Sequence, residues 1–542
     1  MVHLEGGLAQ RSSLLRRLGQ AETCTTGNLL CLLYEQSELD LPRQLAGTAA
    51  FILIDPRRRR LLAVRDRLGQ RGLFFRRSAE GIRLAPRVAD LLTGSEGVAD
   101  LSQRALVAQV CGDAPPPRET FYRGIEAVEA GCFLLAEGDR VEQVRYWRPE
   151  LAAMLRLSSD EAYGEALLAV LDEVMADYRS EDSAAVALSS GFDSTAVAAS
   201  LASAGDEEGS PSTAAESPSL TALLWAAPEL PEADESPLAG EVADRLGLDR
   251  LTLRADHLWP LSTPLAERVR RDSPLCGFYE DLWQETCRRL RQAEISVLYT
   301  GVGGDHLFGG DVFDYLDRLA TGRWVSLARD LRRHRRWSPG GTLRLLRKFL
   351  WAPLRTWWRP TRWAPEVPWL ASAHRPRVPS IEGRRRILAS PGRVQRLWTL
   401  RDPLIPSLVL EMGQRAAAHG IDLRHPLLDH RLFELAAALP PSQTFSAGER
   451  KVILRRAFAG RLPAAVLESR DKIYPTPILR RGLVERGQAQ ARELMRQPRV
   501  VDLGLVDGVA LRQAYDDFCA GRSRSSLFWH TWTLEAWLRK YF

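Results

Sequence analysis

The sequence lacks the features that would place the protein in a membrane, outside the cell or around a zinc ion. None of its 542 residues starts an uninterrupted apolar run of the roughly 18 residues that a membrane helix needs. Met1–Leu15 lacks the apolar core of an export signal. The seven cysteines form no C-x-x-C pair, which argues against a disulfide framework and a zinc site. We therefore expect a cytoplasmic protein without a membrane span.

Lysine is scarce as well, because only four of the 74 basic residues are lysine: Lys348, Lys451, Lys472 and Lys540. Arginine supplies the generic positive charge, so a retained lysine points to chemistry that needs a compact ammonium group. Codon bias is the alternative explanation. The net charge of +6 is small for this length and no nucleic-acid motif accompanies it, so we expect no nucleic-acid partner.

The patterning of the chain changes near residue 150. Residues 1–150 contain short β-branched and aromatic runs separated by glycine, which predict stacked antiparallel sheets, with one helix over Gln103–Val110. From 158 to 542, helices alternate with single apolar strands, which predicts a parallel sheet with crossover helices. The overall prediction is an α/β protein of two domains. Residues 205–219 are acidic and of low complexity, which predicts a disordered surface insertion.

The elements predicted in the second domain place its motifs. Helices are expected over 161–179, 194–204, 238–246 and 279–292, and strands over 184–188, 220–226 and 295–300. The remainder, past about 310, reads as mostly helical.

A first loop directly follows the strand at 184–188 and opens a helix. Its residues are Leu188, Ser189, Ser190, Gly191, Phe192, Asp193 and Ser194. Small residues let a pyrophosphate approach the backbone N–H groups and the positive end of the helix, and the serines add hydroxyl donors. Asp193 would repel phosphate directly, so its expected role is to bind a Mg²⁺ that bridges phosphate oxygens. The alternative is a small-residue turn in which Asp193 caps the helix.

A second loop, Thr300–Gly310, follows the strand at 295–300 and contains Gly301, Gly303 and Asp305. Ligands of open α/β sheets bind at the carboxyl ends of the strands, so both loops are expected to face one nucleotide. Asp305 then supplies a second carboxylate for Mg²⁺. A third segment, Arg424–Leu435, contains Asp429, which by itself is more typical of a helix cap than of a catalytic residue.

Together these segments resemble the S-G-G-x-D-S, [ST]-G-x-G-x-D and R-x-P-x-L-D motifs of asparagine synthetases and β-lactam synthetases, with Ser190 in place of the first glycine. The resemblance covers Asp160 to the C-terminus and, more faintly, the N-terminal domain. It implies an Ntn-hydrolase-like antiparallel sandwich over 1–150 and an ATP-pyrophosphatase-type synthetase domain over 158–542. It also implies MgATP, cleaved between the α and β phosphates, with the backbone of Leu224 beside the adenine.

The same resemblance extends to two lysines. The family's G-x-x-K-x-x-L-R-x-A and R-x-K segments match Gly448–Ala457 and Arg470–Lys472. It makes Lys472 the lysine that stabilises the transition state and Lys451 a phosphate contact, although both could instead be solvated surface residues. Val302 stands where relatives carry an acidic or tyrosine side chain, so Glu411 and His306 are the candidate general bases, unless the amine enters neutral.

The source of the amine separates the subfamilies. The chain begins Met1-Val2, without the cysteine at position 2 that serves as nucleophile in the glutaminase domain of asparagine synthetases, so we expect no glutamine hydrolysis. The amine then comes from the substrate itself. That leaves β-lactam synthetases, carbapenam synthetases and lasso peptide cyclases.

Residues 318–365 favour the last of these. They hold thirteen Arg or Lys, one acidic residue and six tryptophans, and resemble the insertion of actinobacterial lasso peptide cyclases. Such a segment could grip a peptide, or it could be helices that bury their tryptophans. The expected function is adenylation of an Asp or Glu side chain of a leaderless precursor peptide, followed by attack of its N-terminal amine. A leader peptidase and a leader-binding protein are candidate partners, and a β-lactam-type synthetase or a non-catalytic peptide scaffold are the rivals.

Overall fold

The computed structural model describes residues 1–180, 182–203, 220–310, 314–320, 322–337, 347, 367–374, 393, 396–397, 401–469 and 476–542. Outside the described residues lie the insertion expected at 205–219, Lys472 and most of residues 318–365, here called the Trp-rich segment.

The N-terminal domain is built from two antiparallel sheets. One sheet has the order β1-β2-β3-β7-β8 and the other β5-β4-β6. The strands are β1 (Val2–Ala9), β2 (Ala46–Asp55), β3 (Arg60–Val64), β4 (Phe74–Ser78), β5 (Gly81–Ala85), β6 (Ile125–Ala127), β7 (Cys132–Glu137) and β8 (Arg140–Arg145). The helices are α1 (Arg11–Arg17), α2 (Thr26–Ser37), α3 (Leu41–Gln44) and α4 (Gln103–Cys111). The predicted antiparallel sandwich is confirmed.

Alternating side chains of these strands bury both faces of the larger sheet. Phe51 and Leu62 face one way, into the core beneath α1 and α2. Ala50 and Ala63, one residue earlier or later, face the second sheet. Successive strand residues point to opposite faces, so a helix layer and a sheet layer can cover the same sheet. Helix α4 then covers the outer face of the smaller sheet, which gives a four-layered domain.

The second domain is organised around a parallel sheet with the order β11-β10-β9-β12-β13. Its strands are β9 (Ala184–Ala187), β10 (Leu220–Ala226), β11 (Asp249–Arg254), β12 (Val297–Tyr299) and β13 (Asp422–Arg424), and a short hairpin adds β14 (Phe445–Ser446) and β15 (Glu449–Arg450). All four pairings of the five-stranded sheet are parallel. Val186 and Leu224 bury one face and Ala185 and Leu223 the other, so helices cover both faces.

The described helices of this domain are α5 (Asp160–Tyr178), α6 (Phe192–Ser203), α7 (Ser236–Arg245), α8 (Leu265–Arg268), α9 (Glu280–Gln292), α10 (Gly304–Phe308), α11 (Asp314–Ala320), α12 (Trp324–Trp337), α13 (Leu404–Ala417), α14 (His430–Ala438), α15 (Val452–Ala457), α16 (Ala464–Glu468), α17 (Thr476–Arg480), α18 (Gln488–Leu494), α19 (Arg499–Asp502), α20 (Gly508–Cys519) and α21 (Phe528–Tyr541). No helix in the described part of the chain is both long and apolar enough to span a bilayer.

The strand order positions the site. The chain starts the sheet at its centre with β9, moves outward through β10 and β11, and returns to the other side of β9 with β12 and β13. The order therefore reverses between β9 and β12, and such a switch point forms a crevice at the carboxyl ends of the strands. The first loop leaves β9 there, the second loop leaves β12, and the third segment includes the end of β13.

Candidate active site

The first loop is shaped by its own hydroxyl groups. Ser189 Oγ lies 2.9 Å from Ser194 Oγ and accepts the backbone N–H of Gly191 at 3.1 Å. Ser190 donates outward, to Glu235 Oε1 at 2.7 Å. These bonds hold the backbone in a tight turn ahead of α6, whose amino end carries the partial positive charge of the helix dipole. Sequence reasoning missed Glu235, although an acidic residue between β10 and α7 lies at another carboxyl strand end.

The second loop lies directly against the first. A side chain at Gly301 would place its Cβ 2.5 Å from the Ser194 nitrogen and 2.7 Å from the carbonyl carbon of Asp193. That close approach requires glycine, because no Cβ fits between the two backbones. Gly303 has a φ of +109°, which also favours glycine. The two predicted loops are thus brought together at the switch point.

Asp193 and Asp305, the carboxylate pair, converge on one ammonium group. Lys451 Nζ lies 2.7 Å from Asp193 Oδ2 and 2.7 Å from Asp305 Oδ1. Lys451 adopts a left-handed backbone, with φ 57°, immediately before α15. The side chain of Lys451 is only 12% exposed and that of Asp305 is 40% exposed, so the cluster opens to solvent on the Asp305 side. Three residues from three distant motifs therefore meet at one point.

This arrangement fits a Mg²⁺ that arrives with a nucleotide. Within the described residues, no group of three or more His, Cys, Asp or Glu side chains is arranged to hold a metal ion alone. Mg²⁺ is commonly held by one or two carboxylates together with substrate phosphates, and the carboxylate pair offers that number. Lys451 adds a positive charge at the same point, where phosphate oxygens would need one.

Two predicted nucleotide contacts have buried side chains. Leu188 and Leu224 are 4% and 2% exposed and belong to the core between the sheet and α5. Any contact of theirs with a nucleotide would therefore come from the main chain, as expected for Leu224. Asp429 caps α14 by accepting the Arg431 N–H at 2.9 Å. Burial favours its neutral form, but hydrogen bonds from His430 and Arg431 outweigh burial and hold the pKa of Asp429 below its usual range.

Glu411 lies apart from the contacts of the carboxylate pair, on α13. It accepts a hydrogen bond from Ser273 Oγ, and its other oxygen lies 3.6 Å from Arg415 Nε. Burial raises the pKa of Glu411, and the nearby Arg415 charge opposes the shift only in part. The proton affinity of this carboxyl group is therefore closer to that of a useful base than it would be in water.

Glu411 faces an interdomain cavity of about 400 Å³. Both domains line this cavity. Its apolar and aromatic walls include Phe74, Phe121, Trp147, Leu275 and Leu410, and its guanidinium groups include Arg67, Arg145, Arg148 and Arg401. No sequence motif signals this cavity, because its walls come from segments that lie hundreds of residues apart.

His306 is within electrostatic reach of both places. Burial lowers the pKa of His306, and the carboxylates of Asp305, Asp193 and Asp402 oppose that shift. Asp402 also lines the interdomain cavity, whereas His306 is not among the residues of its wall. Among the described residues, the buried Nδ1 of His306 has no hydrogen-bond partner. Val302, which precedes it in the loop, packs onto the apolar core and offers no proton.

The Trp-rich segment is described only in part. Arg318 is buried, and its Nη1 lies 2.7 Å from Asp330 Oδ2, so this arginine serves packing rather than an exposed basic surface. Trp324 and Val325, by contrast, are 64% and 73% exposed at the start of α12.

Comparison with known proteins gives a consistent family. A model described as asparagine synthase matches residues 166–539, and one described as a glutamine amidotransferase domain matches residues 11–147. A putative glutamine-hydrolysing asparagine synthetase of Mycobacterium tuberculosis strain H37Rv is 26% identical over 483 residues, 82% of this chain and 69% of that protein. Asparagine synthetase (glutamine-hydrolysing) 3 of Bacillus subtilis strain 168 is 23% identical over 486 residues, 86% and 73% of the two chains.

Among solved structures, the allosteric regulatory enzyme of purine biosynthesis matches with a TM-score of 0.20 and 11% identity, over 55% of this chain and 59% of that one. We draw nothing from so distant a likeness. The family match covers most of the chain, including the three motifs that meet at the switch point. The chain therefore belongs to the asparagine synthase family, whose members use ATP to form amide bonds.

Proposed function

We propose that the protein closes a macrolactam on a leaderless precursor peptide. It adenylates an Asp or Glu side chain and transfers that acyl group to the N-terminal amine of the same peptide, as lasso peptide cyclases do. The observation that carries this proposal is the interdomain cavity, whose walls combine apolar and aromatic side chains with several arginines. The protein would act in the cytoplasm, after a leader peptidase and a leader-binding protein have delivered the peptide.

The cavity suits a peptide better than a small amino acid derivative. Its volume of about 400 Å³ lies in the lower part of the range of small-molecule sites, so it would enclose a few residues of a peptide rather than the whole chain. Phe121 and Trp147 offer apolar and stacking surface, and Arg148 and Arg401 offer charge and hydrogen-bond donors. A small β-amino acid would need a tighter and more polar site. This contrast favours peptide cyclisation over β-lactam formation.

Adenylation would take place at the carboxylate pair. An oxygen of the peptide carboxylate attacks the α-phosphorus of ATP, the bond to the bridging oxygen breaks, and pyrophosphate leaves. Lys451 would stabilise the charge that develops on the phosphate oxygens. Bound Mg²⁺, held by Asp193 and Asp305, would supply charge neutralisation for the departing pyrophosphate. Lys472, which lies outside the described residues, is the second lysine proposed to act here.

Amide formation would take place toward the cavity. The amine nitrogen attacks the acyl carbon, the bond from that carbon to the AMP oxygen breaks, and AMP leaves with the electron pair. The amine proton passes to a base, for which Glu411 is our first candidate because its burial raises its pKa. His306 is the second candidate, since burial lowers its pKa and so favours the neutral form that can accept a proton.

The test is to incubate the protein with MgATP and a panel of leaderless peptides, small β-amino acids, or aspartate with glutamine or ammonia. We expect AMP and pyrophosphate to appear only with peptides that carry a suitably placed Asp or Glu. Mass spectrometry of the peptide would show the loss of one water, and hydroxylamine would trap the activated carboxylate as a hydroxamate.

Asp193→Asn should abolish these signals, whereas the matched control Asp516→Asn, an exposed residue of α20, should keep them. Asparagine formed from aspartate with glutamine or ammonia would replace the proposal with the activity named for the relatives. Turnover of small β-amino acids alone would favour β-lactam formation over peptide cyclisation. If no carboxylate supported nucleotide turnover, the remaining explanation would be a non-catalytic scaffold that presents a peptide.

A further inference from the structure

The loop Arg65–Arg71 of the N-terminal domain, here called the brace loop, is fixed by buried charges. The carboxylate of Asp66 accepts the backbone N–H groups of Gln70 and Arg71, each at 3.0 Å. The Arg65 guanidinium donates to three main-chain carbonyl oxygens at 2.8 to 2.9 Å. Both side chains are about 5% exposed, so water competes little for these bonds. The loop is therefore a rigid element rather than a surface connection.

Three side chains of the brace loop cross the domain boundary and reach one short stretch of the synthetase domain. The contacts are Arg67 Nη1 with His430 Nε2 at 2.7 Å, Gln70 Nε2 to Leu428 O at 2.9 Å, and Arg71 Nη2 with Asp422 Oδ1 at 2.6 Å. All three partners lie in β13, in the third segment or at the start of α14. The brace loop thus contacts the third segment and the strand that leads into it.

The third segment in turn lies against the second loop. His425 Nδ1 is 2.6 Å from Thr300 Oγ1, at the point where the second loop leaves β12. A side chain at Gly303 would place its Cβ 2.7 Å from Leu428 Cδ2. Two residues further along, Asp305 contacts Lys451. An unbroken series of packed contacts therefore joins the brace loop to the carboxylate pair.

We infer that the brace loop positions the second loop for MgATP, so that the N-terminal domain acts on the nucleotide site through the third segment. Gln70 and Arg71 are positioning residues in this scheme, since neither touches the carboxylate pair. The inference concerns the ATP use of the family and stands apart from the choice of a peptide as substrate. It gives the N-terminal domain a task whether or not it hydrolyses glutamine.

A purely structural role for Gln70 is the competing explanation, and the chain offers a matched control. Gln109 is a second buried glutamine of the N-terminal domain that crosses the boundary. Its Nε2 donates to Thr533 Oγ1 at 3.0 Å and to His530 O at 3.3 Å, both on α21 and away from the third segment. Gln70→Met and Gln109→Met each remove one buried interdomain donor at nearly constant volume, so they should lower the melting temperature to a similar extent.

The measurement is the Kd of the full chain for Mg²⁺ with the α,β-methylene analogue of ATP, by calorimetry, with thermal unfolding alongside. We expect Gln70→Met to weaken nucleotide binding about tenfold, as for supporting residues around metal ligands, with Gln109→Met within about twofold of the parent. Arg71→Ala should weaken binding similarly, and Arg71→Lys, which keeps the charge, should restore part of it.

Equal Kd values for the two glutamine variants would overturn the inference, and so would an unchanged Kd in Arg71→Ala. If Gln70→Met does not fold, the Arg71 pair decides the matter alone. The analogue is measured without any peptide. The result can therefore be interpreted even if the peptide proposal fails. A brace loop without effect would equally leave the peptide proposal standing.

Discussion

The carboxylate pair and the interdomain cavity are built on opposite principles. At the pair, two carboxylates from separate motifs converge on the ammonium nitrogen of Lys451, each at 2.7 Å. Around the cavity, the charges are spread along the walls and many already have partners, as Arg148 has in Glu150 at 2.7 Å and Asp272 in Arg87 at 2.9 Å.

This difference in charge arrangement corresponds to two different tasks, activation of the carboxylate at the pair and selection of the substrate at the cavity. Adenylyl transfer requires fixed charges at fixed points, so short motifs record it and any change there is costly. Selection of a substrate depends on the shape and the average polarity of a surface, to which many residues contribute a little each. We therefore expect steep and general losses at the carboxylate pair and smaller, substrate-dependent losses around the cavity.

The largest effect is expected at Lys451. Lys451→Ala removes the positive charge between Asp193 and Asp305, and losing one positioned stabilising group typically costs about 10²–10³ in rate. AMP and pyrophosphate formation should fall by that factor with every carboxylate offered. Lys540→Ala, which removes an ammonium group from α21, should stay near the parent rate. An unchanged rate of pyrophosphate exchange in Lys451→Ala would break the comparison.

At Glu411 we expect a large loss confined to the second half-reaction. Glu411→Gln should slow amide formation about 10²-fold, as for loss of a general base, while adenylation trapped with hydroxylamine continues. The parent rate should fall as the pH drops through the raised pKa of Glu411, because only the carboxylate accepts a proton, and this fall should vanish in the variant.

Glu280→Gln is the control for Glu411, since Glu280 is buried and contacts the same Arg415 at 2.8 Å. It does not line the cavity. Equal losses in the two variants would show that the pairing with Arg415, rather than a base in the cavity, matters for the rate.

Arg401 should show the selective behaviour expected of a cavity wall. Its guanidinium donates twice to Pro149 O, and burial and the nearby Arg148 charge lower its pKa. Arg401→Ala should raise the KM for peptides with an acidic or C-terminal carboxylate near the ring about tenfold, the worth of one charged hydrogen bond. The KM for ATP should not move. A matching loss with neutral, amidated peptides would contradict this, and Arg16→Ala, an exposed change, serves as control.

The smallest effect on catalysis, visible mainly in stability, is expected at His425. Burial lowers the pKa of His425 to about 3, from an ordinary value of 6.5. A lowered pKa means that the folded state resists protonation, so its contribution is intact above about 6.5 and is lost as the pH falls toward 3. The slope is at most about 1.4 kcal/mol per pH unit.

In His425→Asn that slope should disappear between pH 6.5 and the onset of general acid unfolding. Denaturant unfolding at a series of pH values measures it. Parallel pH profiles for parent and variant would show that His425 does not govern the acid stability of the third segment.

Much of the site formed by the first and second loops could be predicted from the sequence, because motifs and strand ends are local signals. The strand expected over 184–188 is found as Ala184–Ala187, and the helix expected to begin at 194 begins two residues earlier, at Phe192. The small residues of the first loop fit both turn and helix, so the boundary was ambiguous. The helix expected over Gln103–Val110 is found as Gln103–Cys111, one residue longer.

The rest of the fold and of the site depends on contacts between segments that are far apart in the chain, which no short stretch of sequence reveals. Strand β11 was missed, since Asp249–Arg254 is an edge strand with mainly polar side chains whose pairing with β10 decides its structure. Helices α1 and α2 were missed because the neighbouring strands dominated the pattern. The left-handed backbone of Lys451 and the walls of the cavity follow from tertiary packing alone.

The shared walls of the interdomain cavity have a consequence for how such a protein can change. Phe121 comes from one domain and Leu410 from the other, so neither domain forms the cavity by itself. Exchanging the N-terminal domain between two relatives would replace one wall of the cavity and leave the opposite wall unchanged. The chimeras would then differ in which acceptor they take, although the machinery that activates the acid was left untouched.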